Sequence, residues 1–379
     1  MDFSYPEEQS IFRDSLRKFL KGEVEPLIEE AERNEKFPKQ LFKKFGAMGY
    51  LGIVYPEDLG GMGLGYTTLC ILAEELGRIN SGIAGSILAH SSIATCPVFL
   101  MGTPDQKERF LRPSITGEKI GCFALTEPGA GSDAASIQAT AKRDGEYYVL
   151  NGSKTFITNS PFADYAVVAA KTNKDAGAKG ISVFAVDATT PGCIRGRRIE
   201  KMGNRSSETG EIAFEDCRVH ESNRLGPEGE GFATFMKALN GGRMVVAARA
   251  LGIAQAAFDA ALKYSGERVA FGKPIRKFQL IAEKLAKMAT EIEAAKLLVE
   301  RAAWLKDQGR DHIKAASMAK LKATETATWV TGEALQIYGG YGYSTEFPVE
   351  RYFRDAKVMT IIEGTSEIQL TIIAGRLGE

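Results

Sequence analysis

The sequence predicts an α+β protein with three parts in chain order: a helical domain, a central domain of β-strands and a helical bundle. Two observations predict it. Hydrophobic residues recur at helical spacing at both ends of the chain, and they alternate at strand spacing in the middle. The chain has 379 residues, of which 44% are hydrophobic, enough for several packed units. We place the domains at residues 1–120, 121–229 and 230–379.

The first domain is predicted to be helical from near its start. Ser4 and Pro6 form a helix start signal, and Phe12, Leu16 and Phe19 follow at helical spacing. Glycine-rich loops such as "PEDLGGMGLG" separate the helices.

The middle of the chain shows strand alternation and turn signals. The alternating residues are Ile137, Ala139 and Ala141, then Ile212 and Phe214, and the turn signals are Asp144-Gly145 and Asn151-Gly152. Pairs of this type join antiparallel strands. We therefore expect a β domain with turns at both places.

The last domain is predicted to contain long helices. Its apolar residues at helical spacing are Leu251, Ala254, Phe258 and Leu262, followed by Ile281, Leu285, Met288, Ile292, Ala295 and Val299. A helical period sustained over this length is typical of a bundle.

Composition excludes several kinds of function. Lys plus Arg and Asp plus Glu both number 48, and no long run of one charge stands out, so nucleic acid and anionic membranes are not expected partners. The amino terminus is acidic and polar, and no stretch reaches the roughly twenty apolar residues of a membrane span. We expect a soluble, cytoplasmic bacterial protein, with the mature form of a mitochondrial protein as the alternative.

Cysteine and histidine patterns indicate neither a disulfide framework nor a metal site. The five cysteines are scattered without CxxC spacing, which fits a reducing compartment. The three histidines lie far apart in sequence and have no ligand spacing.

The stretch "CFALTEPGAGSDAAS" satisfies the G-x-G-x-x-A pattern of dinucleotide-binding proteins from Gly129 to Ala134. Pro128 interrupts the approach, and strand alternation rather than a helix follows, which argues against a Rossmann domain. Two interpretations remain: a loop whose N–H groups and hydroxyls approach a polar ligand, or a tight turn between domains. The residues alone favour the turn.

Two further sets of residues are candidates for a planar, phosphorylated ligand. In "NGSKTFITNS", Phe156 and Thr158 could form an aromatic platform with a hydrogen-bonding edge, although such a segment is more often simply a strand. The segments "ERVAFGKPIRKFQ" and "QIYGGYGYSTEFPVERYFRD" supply candidate partners for a diphosphate and a ribose, namely Arg268, Phe271, Gln279, Gly339 and Gly340.

A single carboxylate stands out in "VMTIIEGTSEIQL". Ser366 and Gln369 match a capping box, so a helix is predicted to begin near Glu367, with Glu363 in the loop before it. Ile361 and Ile362 would place the Glu363 carboxylate against apolar surface, where its pKa rises and it becomes a better base. The alternative is an exposed loop glutamate.

Taken in this order, the segments resemble the acyl-CoA dehydrogenase family of flavoproteins. The likeness covers the whole chain through "YPEEQ", "PEDLGGMG", "LTEPGAGSD", "NGSKTFITN", "RVAFGKPI", "QIYGGYGY" and "IIEGTSEIQ". It implies an amino-terminal all-α domain, a central antiparallel, barrel-like β domain and a four-helix bundle, assembled as a homotetramer or dimer of dimers. FAD would lie between the β domain and the bundle.

The resemblance also implies a role for individual residues. Glu363 would be the catalytic base, and Ser132, Asn240, Arg243 and Gly364 would contact the acyl-CoA substrate. The implied FAD contacts are Leu125, Thr126, Ser132, Phe156, Thr158, Arg268, Phe271, Gln279, Gln336, Gly339, Gly340, Thr365 and Glu367. Some relatives carry the base where this chain has Gly242, which cannot act as one.

The implied reaction is α,β-dehydrogenation of a short- or medium-chain acyl-CoA to the trans-2-enoyl-CoA. Glu363 would remove the α-proton while a hydride leaves for flavin N5, and an electron-transferring flavoprotein would take the electrons. The Glu363 N–H and a flavin ribityl hydroxyl would polarise the thioester carbonyl.

The acyl group stays open. Ala84 stands where glutaryl-CoA dehydrogenases have an arginine, which argues against a dicarboxylic substrate. "AHSS" resembles the isovaleryl-CoA branch, whereas "EGTSEIQ" and "AAWLKD" resemble the short-chain branch. The alternatives are a branched or alicyclic substrate, an oxidase or desulfinase relative, and a catalytically silent FAD- or CoA-binding protein.

Overall fold

The structure is a computed structural model that describes residues 6–378. Its first part is helical, as the sequence predicts, although Ser4 of the start signal lies outside the described residues. The helices are α1 Glu7–Phe19, α2 Ile28–Asn34, α3 Gln40–Ala47, α4 Gly65–Ile79, α5 Ser81–Leu88, α6 Cys96–Met101, α7 Pro104–Gln106 and α8 Arg112–Ile115. A π-helical segment, Ala89–Ala94, follows α5 directly.

The central part is one eight-stranded sheet. Its strands are β1 Gly121–Ala124, β2 Thr140–Asp144, β3 Tyr147–Thr158, β4 Tyr165–Lys171, β5 Ile181–Asp187, β6 Cys193–Arg198, β7 Thr209–His220 and β8 Arg224–Leu225. The order is β6-β7-β3-β2-β4-β5-β8, with β1 also on β4. Most pairs are antiparallel, and β1 and β2 run parallel to β4.

Strands β4 and β5 are buried on both faces, which explains why they read as continuous apolar runs. One face of β4 carries Val168 into a core with Phe184 of β5. The opposite face carries Val167 into a second core, which includes Phe110 and Phe235 from the helical parts. The sheet is therefore enclosed between its own outer strands and the helices.

The last part contains α9 Gly231–Glu267, α10 Gln279–Asp307, α11 Ile313–Tyr338, α12 Val349–Lys357 and α13 Ser366–Ala374, with a short hairpin of β9 Val269–Ala270 and β10 Lys273–Pro274. Helices α9, α10 and α11 pack on one another, and α12 and α13 pack on α11. Helix α4 also packs on α9. A single hydrophobic core joins the amino-terminal helices to this bundle.

One of the two predicted turns is wrong. The Asp144-Gly145 turn joins β2 to β3, but β3 runs without a break through Asn151-Gly152. The register shifts between Leu150 and Gly152, where β7 has one extra residue, so the Asn151-Gly152 pair lies opposite a bulge of β7. A Cβ at Gly152 would lie 2.7 Å from the Cα of Ala139, so close backbone approach accounts for the glycine.

The expectation that no apolar stretch reaches membrane-spanning length is also wrong, since two helical stretches are long and apolar enough. Ser81–Met101 and Gly231–Glu267 both meet the length and hydropathy required. Within their apolar windows, however, 83% and 72% of the residues are buried inside the protein, as in the core helices of a soluble fold.

Candidate active site

Glu363 lies in a turn between α12 and α13 with an uncommon backbone. Its φ is +53°, and that of Gly364 is +95°. Glycine adopts this left-handed region freely, whereas a glutamate pays a conformational cost there. Two buried donors fix the turn: Nζ of Lys320 donates to the Gly364 carbonyl at 2.7 Å, and Nε2 of Gln369 donates to it at 2.8 Å. The backbone therefore sets the direction of the Glu363 side chain.

The Glu363 carboxylate faces α9 at Gly242. A Cβ on Gly242 would lie 2.0 Å from Oε2 of Glu363 and 2.9 Å from Cγ2 of Ile93, so both groups crowd this glycine. Oε2 is buried and has no hydrogen-bond partner within residues 6–378. Burial raises the pKa of Glu363 from 4.5 to about 7. Glu363 is thus a half-buried residue whose Oε2 is enclosed, rather than an exposed loop glutamate.

The apolar wall differs in part from the sequence interpretation. Ile361 is 52% exposed, so it does not enclose the carboxylate. Ile362 packs on the main core, and Ile93, from the π-helical segment, supplies the apolar contact near Gly242. A residue 270 positions away in sequence, by the residue numbers, cannot be found from the local pattern.

Three cations oppose the effect of burial on Glu363. Lys320 has the largest effect, followed by Arg243 and Arg249, and each lowers the pKa of the carboxyl. Arg243 donates through Nη1 to Oδ1 of Asn240 at 2.5 Å, which joins two predicted substrate contacts on α9. The Nε of Arg243 is buried without a hydrogen bond in the described chain.

The cap of α13 is not the predicted one. The helix begins at Ser366, and Thr365 caps it by accepting a hydrogen bond from the Ile368 N–H. The side chain of Gln369 turns away from the helix start to the carbonyls of Glu363 and Gly364. The Ser366 hydroxyl is left buried without a partner in residues 6–378. Thr365 also lowers the pKa of the exposed Glu367 through a side-chain hydrogen bond.

The β domain brings a second group of predicted residues together. The Thr126 carbonyl accepts a hydrogen bond from the Thr155 N–H, so the glycine-rich loop lies along the segment that contains Phe156 and Thr158. Phe156 is 65% exposed and has a φ of +57° at a break in the β3–β7 register. Leu125 is buried, Thr126 and Thr158 are partly exposed, and Ser132 is exposed. An exposed ring on a strained bulge is suited to stacking on a planar ligand.

A buried ion pair that sequence reasoning missed supports this surface. Lys154 is 0% exposed, and its Nζ donates to Oε1 of Glu127 at 2.8 Å and to the Leu125 carbonyl at 3.0 Å. Glu127 in turn accepts from the N–H groups of Gln138 and Ala139. Burial lowers the pKa of Lys154 to about 8, and Glu127 opposes that shift. The pair holds the loop onto β3.

The remaining predicted residues lie at one end of the bundle. The contacts that they make are with other residues at that end. The Arg268 guanidinium lies over the Tyr341 ring at 5.7 Å, which joins the β9–β10 hairpin to the turn that contains Gly339 and Gly340. Phe271, at the hairpin tip, is 95% exposed. Gln279 and Gln336 are exposed, and nothing lies within 4 Å of where a Cβ on Gly339 or Gly340 would be. This end presents an open polar and aromatic surface.

Sequence periodicity contains a signal for the residues that were missed. Lys320 occupies a core-facing position of α11, between the buried Ala316 and Ala323. Lys154 lies on the same face of β3 as the buried Tyr148 and Leu150. A lysine at an inward position is rare unless it is paired.

Comparison with known proteins covers the whole chain. Models of the acyl-CoA dehydrogenase N-terminal, middle and C-terminal domains match residues 6–118, 122–217 and 229–378. The 3-(aryl)acrylate reductase of Clostridium sporogenes is 46% identical over 98% of this chain and 99% of its own. The caffeyl-CoA reductase-Etf complex subunit CarC of Acetobacterium woodii is 45% identical over 98% and 99%. The structure of butyryl-CoA dehydrogenase from Megasphaera elsdenii superposes with a TM-score of 0.97, at 42% identity and full coverage of both chains.

Proposed function

The chain belongs to the acyl-CoA dehydrogenase family of oxidoreductases, and we propose that it catalyses FAD-dependent α,β-dehydrogenation of a short- or medium-chain acyl-CoA, with Glu363 as the base. The observation that carries the assignment is the Glu363 carboxylate. It has a buried oxygen without a hydrogen-bond partner in residues 6–378 and a pKa of about 7. A base is most effective when its pKa lies near the working pH.

Glu363 would remove the α-proton of the thioester. Its backbone N–H donates no hydrogen bond within the described residues, so it is free to donate to the thioester carbonyl as negative charge develops there. The left-handed turn thus presents the base and a carbonyl donor from one residue. Removal of the proton and polarisation of the carbonyl are then aligned without any movement of the backbone.

FAD fits the residues of the β domain and of the bundle end. Phe156 offers an exposed ring, with Thr126 and Thr158 beside it, and Ser132 lies on the exposed glycine-rich loop. When bound, FAD supplies the acceptor for the hydride that leaves the β-carbon. Arg268, Gln279 and the open backbone at Gly339 and Gly340 would hold its diphosphate and adenosine. The remaining assigned contacts are Leu125, Phe271, Gln336, Thr365 and Glu367.

The assembly and the electron acceptor are also proposed. The exposed Phe271 and Arg268 suit a contact with a second copy of the chain, and we propose a homotetramer in which such contacts complete the FAD sites. The name of the CarC relative places that protein in a complex with Etf. We propose an electron-transferring flavoprotein as the acceptor for this chain, in the cytoplasm of a bacterium.

A second candidate is the same chemistry in the direction of reduction. The two relatives described above are named as reductases of an arylacrylate and of caffeyl-CoA. In that direction, Glu363 in its protonated form would return a proton to the α-carbon. A pKa near 7 serves both directions, because both forms of the carboxyl are populated at neutral pH.

The test is anaerobic mixing of the FAD-loaded protein with a panel of acyl-CoA and enoyl-CoA thioesters. Wild-type protein should bleach the flavin absorbance with at least one acyl-CoA, and Glu363→Gln should bleach it about 10²–10⁴-fold more slowly. Glu293→Gln, an exposed glutamate on α10, is the matched control and should behave as wild type.

Each outcome separates the alternatives. Undiminished bleaching by Glu363→Gln would refute the assignment of the base. If no acyl-CoA bleaches the oxidised flavin and no enoyl-CoA reoxidises the reduced flavin, the protein is a silent binding protein. Oxygen uptake with hydrogen peroxide release would identify an oxidase. Reoxidation of the reduced flavin by an enoyl-CoA, without bleaching by the matching acyl-CoA, would favour the reductase.

A further inference from the structure

We propose that Lys320 is a positioning residue for Glu363, which holds the Glu363–Gly364 turn through the Gly364 carbonyl and favours the ionised carboxylate through its charge. The proposal rests on the proposed function, since it concerns the residue assigned there as the base.

Lys320 is a buried cation that points at the turn. It is 0% exposed, and Nζ donates to the Gly364 carbonyl at 2.7 Å. Helix α11 carries it among buried alanines and a buried Thr324, so the chain places an ammonium group inside an otherwise apolar and small-residue face. Burial of a charge costs several kcal/mol unless it is paired or hydrogen-bonded. Core packing alone would be served by methionine or leucine.

The ammonium group makes no direct ion pair with a carboxylate in the chain from residue 6 to residue 378. Glu363 has the largest attractive effect on it, with smaller effects from Glu325 and Glu367, and Arg243 repels it. Burial lowers the pKa of Lys320 to about 8. The side chain is therefore still charged in the pH range in which Glu363 titrates.

The charges that face Glu363 come from two helices. Helix α11 supplies Lys320, and α9 supplies Arg243 and Arg249. Both arginines donate hydrogen bonds to other groups. Arg249 donates to Ser81 and Asn204, and Arg243 donates to Asn240. Lys320 has the largest effect of the three, and it reaches the turn itself.

Gln369 provides an internal comparison. Its Nε2 donates to the same Gly364 carbonyl at 2.8 Å, and the side chain is as buried as that of Lys320. Gln369 therefore shares the structural contact but has no charge. A substitution at Gln369 reports the loss of a donor alone, and one at Lys320 reports the loss of both donor and charge.

The experiment compares Lys320→Met, Lys320→Arg and Gln369→Met in the FAD-loaded protein. The readout is the pH profile of flavin bleaching by the best acyl-CoA of the panel. For Lys320→Met we expect the acid limb to move up by about one pH unit, because a nearby opposite charge typically lowers a carboxyl pKa by about that much or more. With the pKa of Glu363 moving from about 7 to about 8, bleaching should fall about ninefold at pH 6 and only about twofold at pH 8. In Lys320→Arg, which retains the positive charge, the acid limb of the pH profile should stay at its wild-type position.

Gln369→Met should slow bleaching equally at all pH values without moving the limb. An unmoved acid limb in Lys320→Met, or an equal shift in Gln369→Met, would overturn the proposal. If Lys320→Met does not fold, Lys320→Gln replaces it, since glutamine keeps a neutral donor at this position and should show the same shift.

A second readout needs no turnover. The pH dependence of Tm in wild type and in Lys320→Met, each compared with its Glu363→Gln counterpart, reports the pKa of Glu363 directly. We expect the higher pKa in Lys320→Met. If no thioester bleaches the wild-type flavin, the proposed function fails, and this comparison still decides whether Lys320 favours the ionised carboxylate.

Discussion

Gly242→Ala should leave the protein folded and greatly slow its chemistry. The added methyl would lie 2.0 Å from Oε2 and 2.9 Å from Cδ of Glu363, and 2.9 Å from Cγ2 of Ile93. Atoms in ordinary contact are about 3.5 Å apart, so the carboxylate must move by about 1 Å or more. The helix backbone cannot yield easily, whereas the end of a glutamate side chain can.

The magnitude follows from the displacement. A misplacement of about 1 Å in a reacting group can cost about 10²-fold in rate, which corresponds to about 2.7 kcal/mol of transition-state stabilisation. Alanine is favoured over glycine within a helix by about 0.5–1 kcal/mol, and overpacking costs about 1–3 kcal/mol. The free energy of unfolding should therefore fall by no more than about 2.5 kcal/mol.

The assay is single-turnover flavin bleaching under anaerobic conditions, with the FAD content and Tm measured on the same samples. Gly332→Ala is the control, because it is also a glycine within a long helix and its Cβ would meet only Cε2 of Phe353 at 3.7 Å. That variant should gain a little stability and keep its rate. If Gly242→Ala binds FAD, folds and bleaches within about threefold of wild type, the packing of Glu363 against Gly242 does not position the base.

Three further predictions test other parts of the site. Because burial raises the pKa of Glu363 from 4.5 to about 7, the folded state loses stability as pH rises through that window. Glu363→Gln should be more stable than wild type at pH 8 by up to about 3 kcal/mol and equal to it at pH 4, and equal denaturation curves at pH 8 would contradict this. Lys154→Met should cost about 3–5 kcal/mol in urea unfolding, and adding Glu127→Leu should recover part of that loss; a loss below about 1 kcal/mol would show that the buried pair is not needed. Phe271→Asp should reduce the mass measured by light scattering below that of a tetramer, and an unchanged mass would exclude this surface from the assembly.

Sequence reasoning predicted the three-part fold because hydrophobic periodicity is a property of local segments. The helices at both ends and the strands between them follow it. Periodicity does not show which segments share a core, and the amino-terminal helices and the bundle prove to share one. It also misread Asn151-Gly152, a pair that often makes a turn but here lies within β3, opposite a bulge of β7 and with the glycine close against Ala139.

At the site, the sequence indicated Glu363 as the candidate base but did not indicate its surroundings. Ser366 and Gln369 have the residue types of a capping box, but they do not form one. Gln369 donates to the carbonyls of Glu363 and Gly364, and Thr365 is the N-cap of α13. Lys320 lies 44 residues from the carbonyl that it contacts, and Lys154 lies 27 residues from Glu127. Periodicity places both lysines at inward positions, but tertiary contacts over such separations determine their partners, which no local pattern reveals.

The placement of Lys320 explains how a buried carboxylate can remain a base beside three cations. A direct ion pair at hydrogen-bond distance would hold the proton off Glu363 and lower its pKa well below neutrality. The ammonium group instead donates to the carbonyl of the next residue, so its charge acts on the carboxylate from a greater distance. The effect of burial then exceeds the attraction, and the pKa settles near 7. An ion pair would make the turn more rigid at the expense of basicity, whereas a bond to the Gly364 carbonyl holds the turn and leaves Oε2 of Glu363 without a hydrogen-bond partner in residues 6–378.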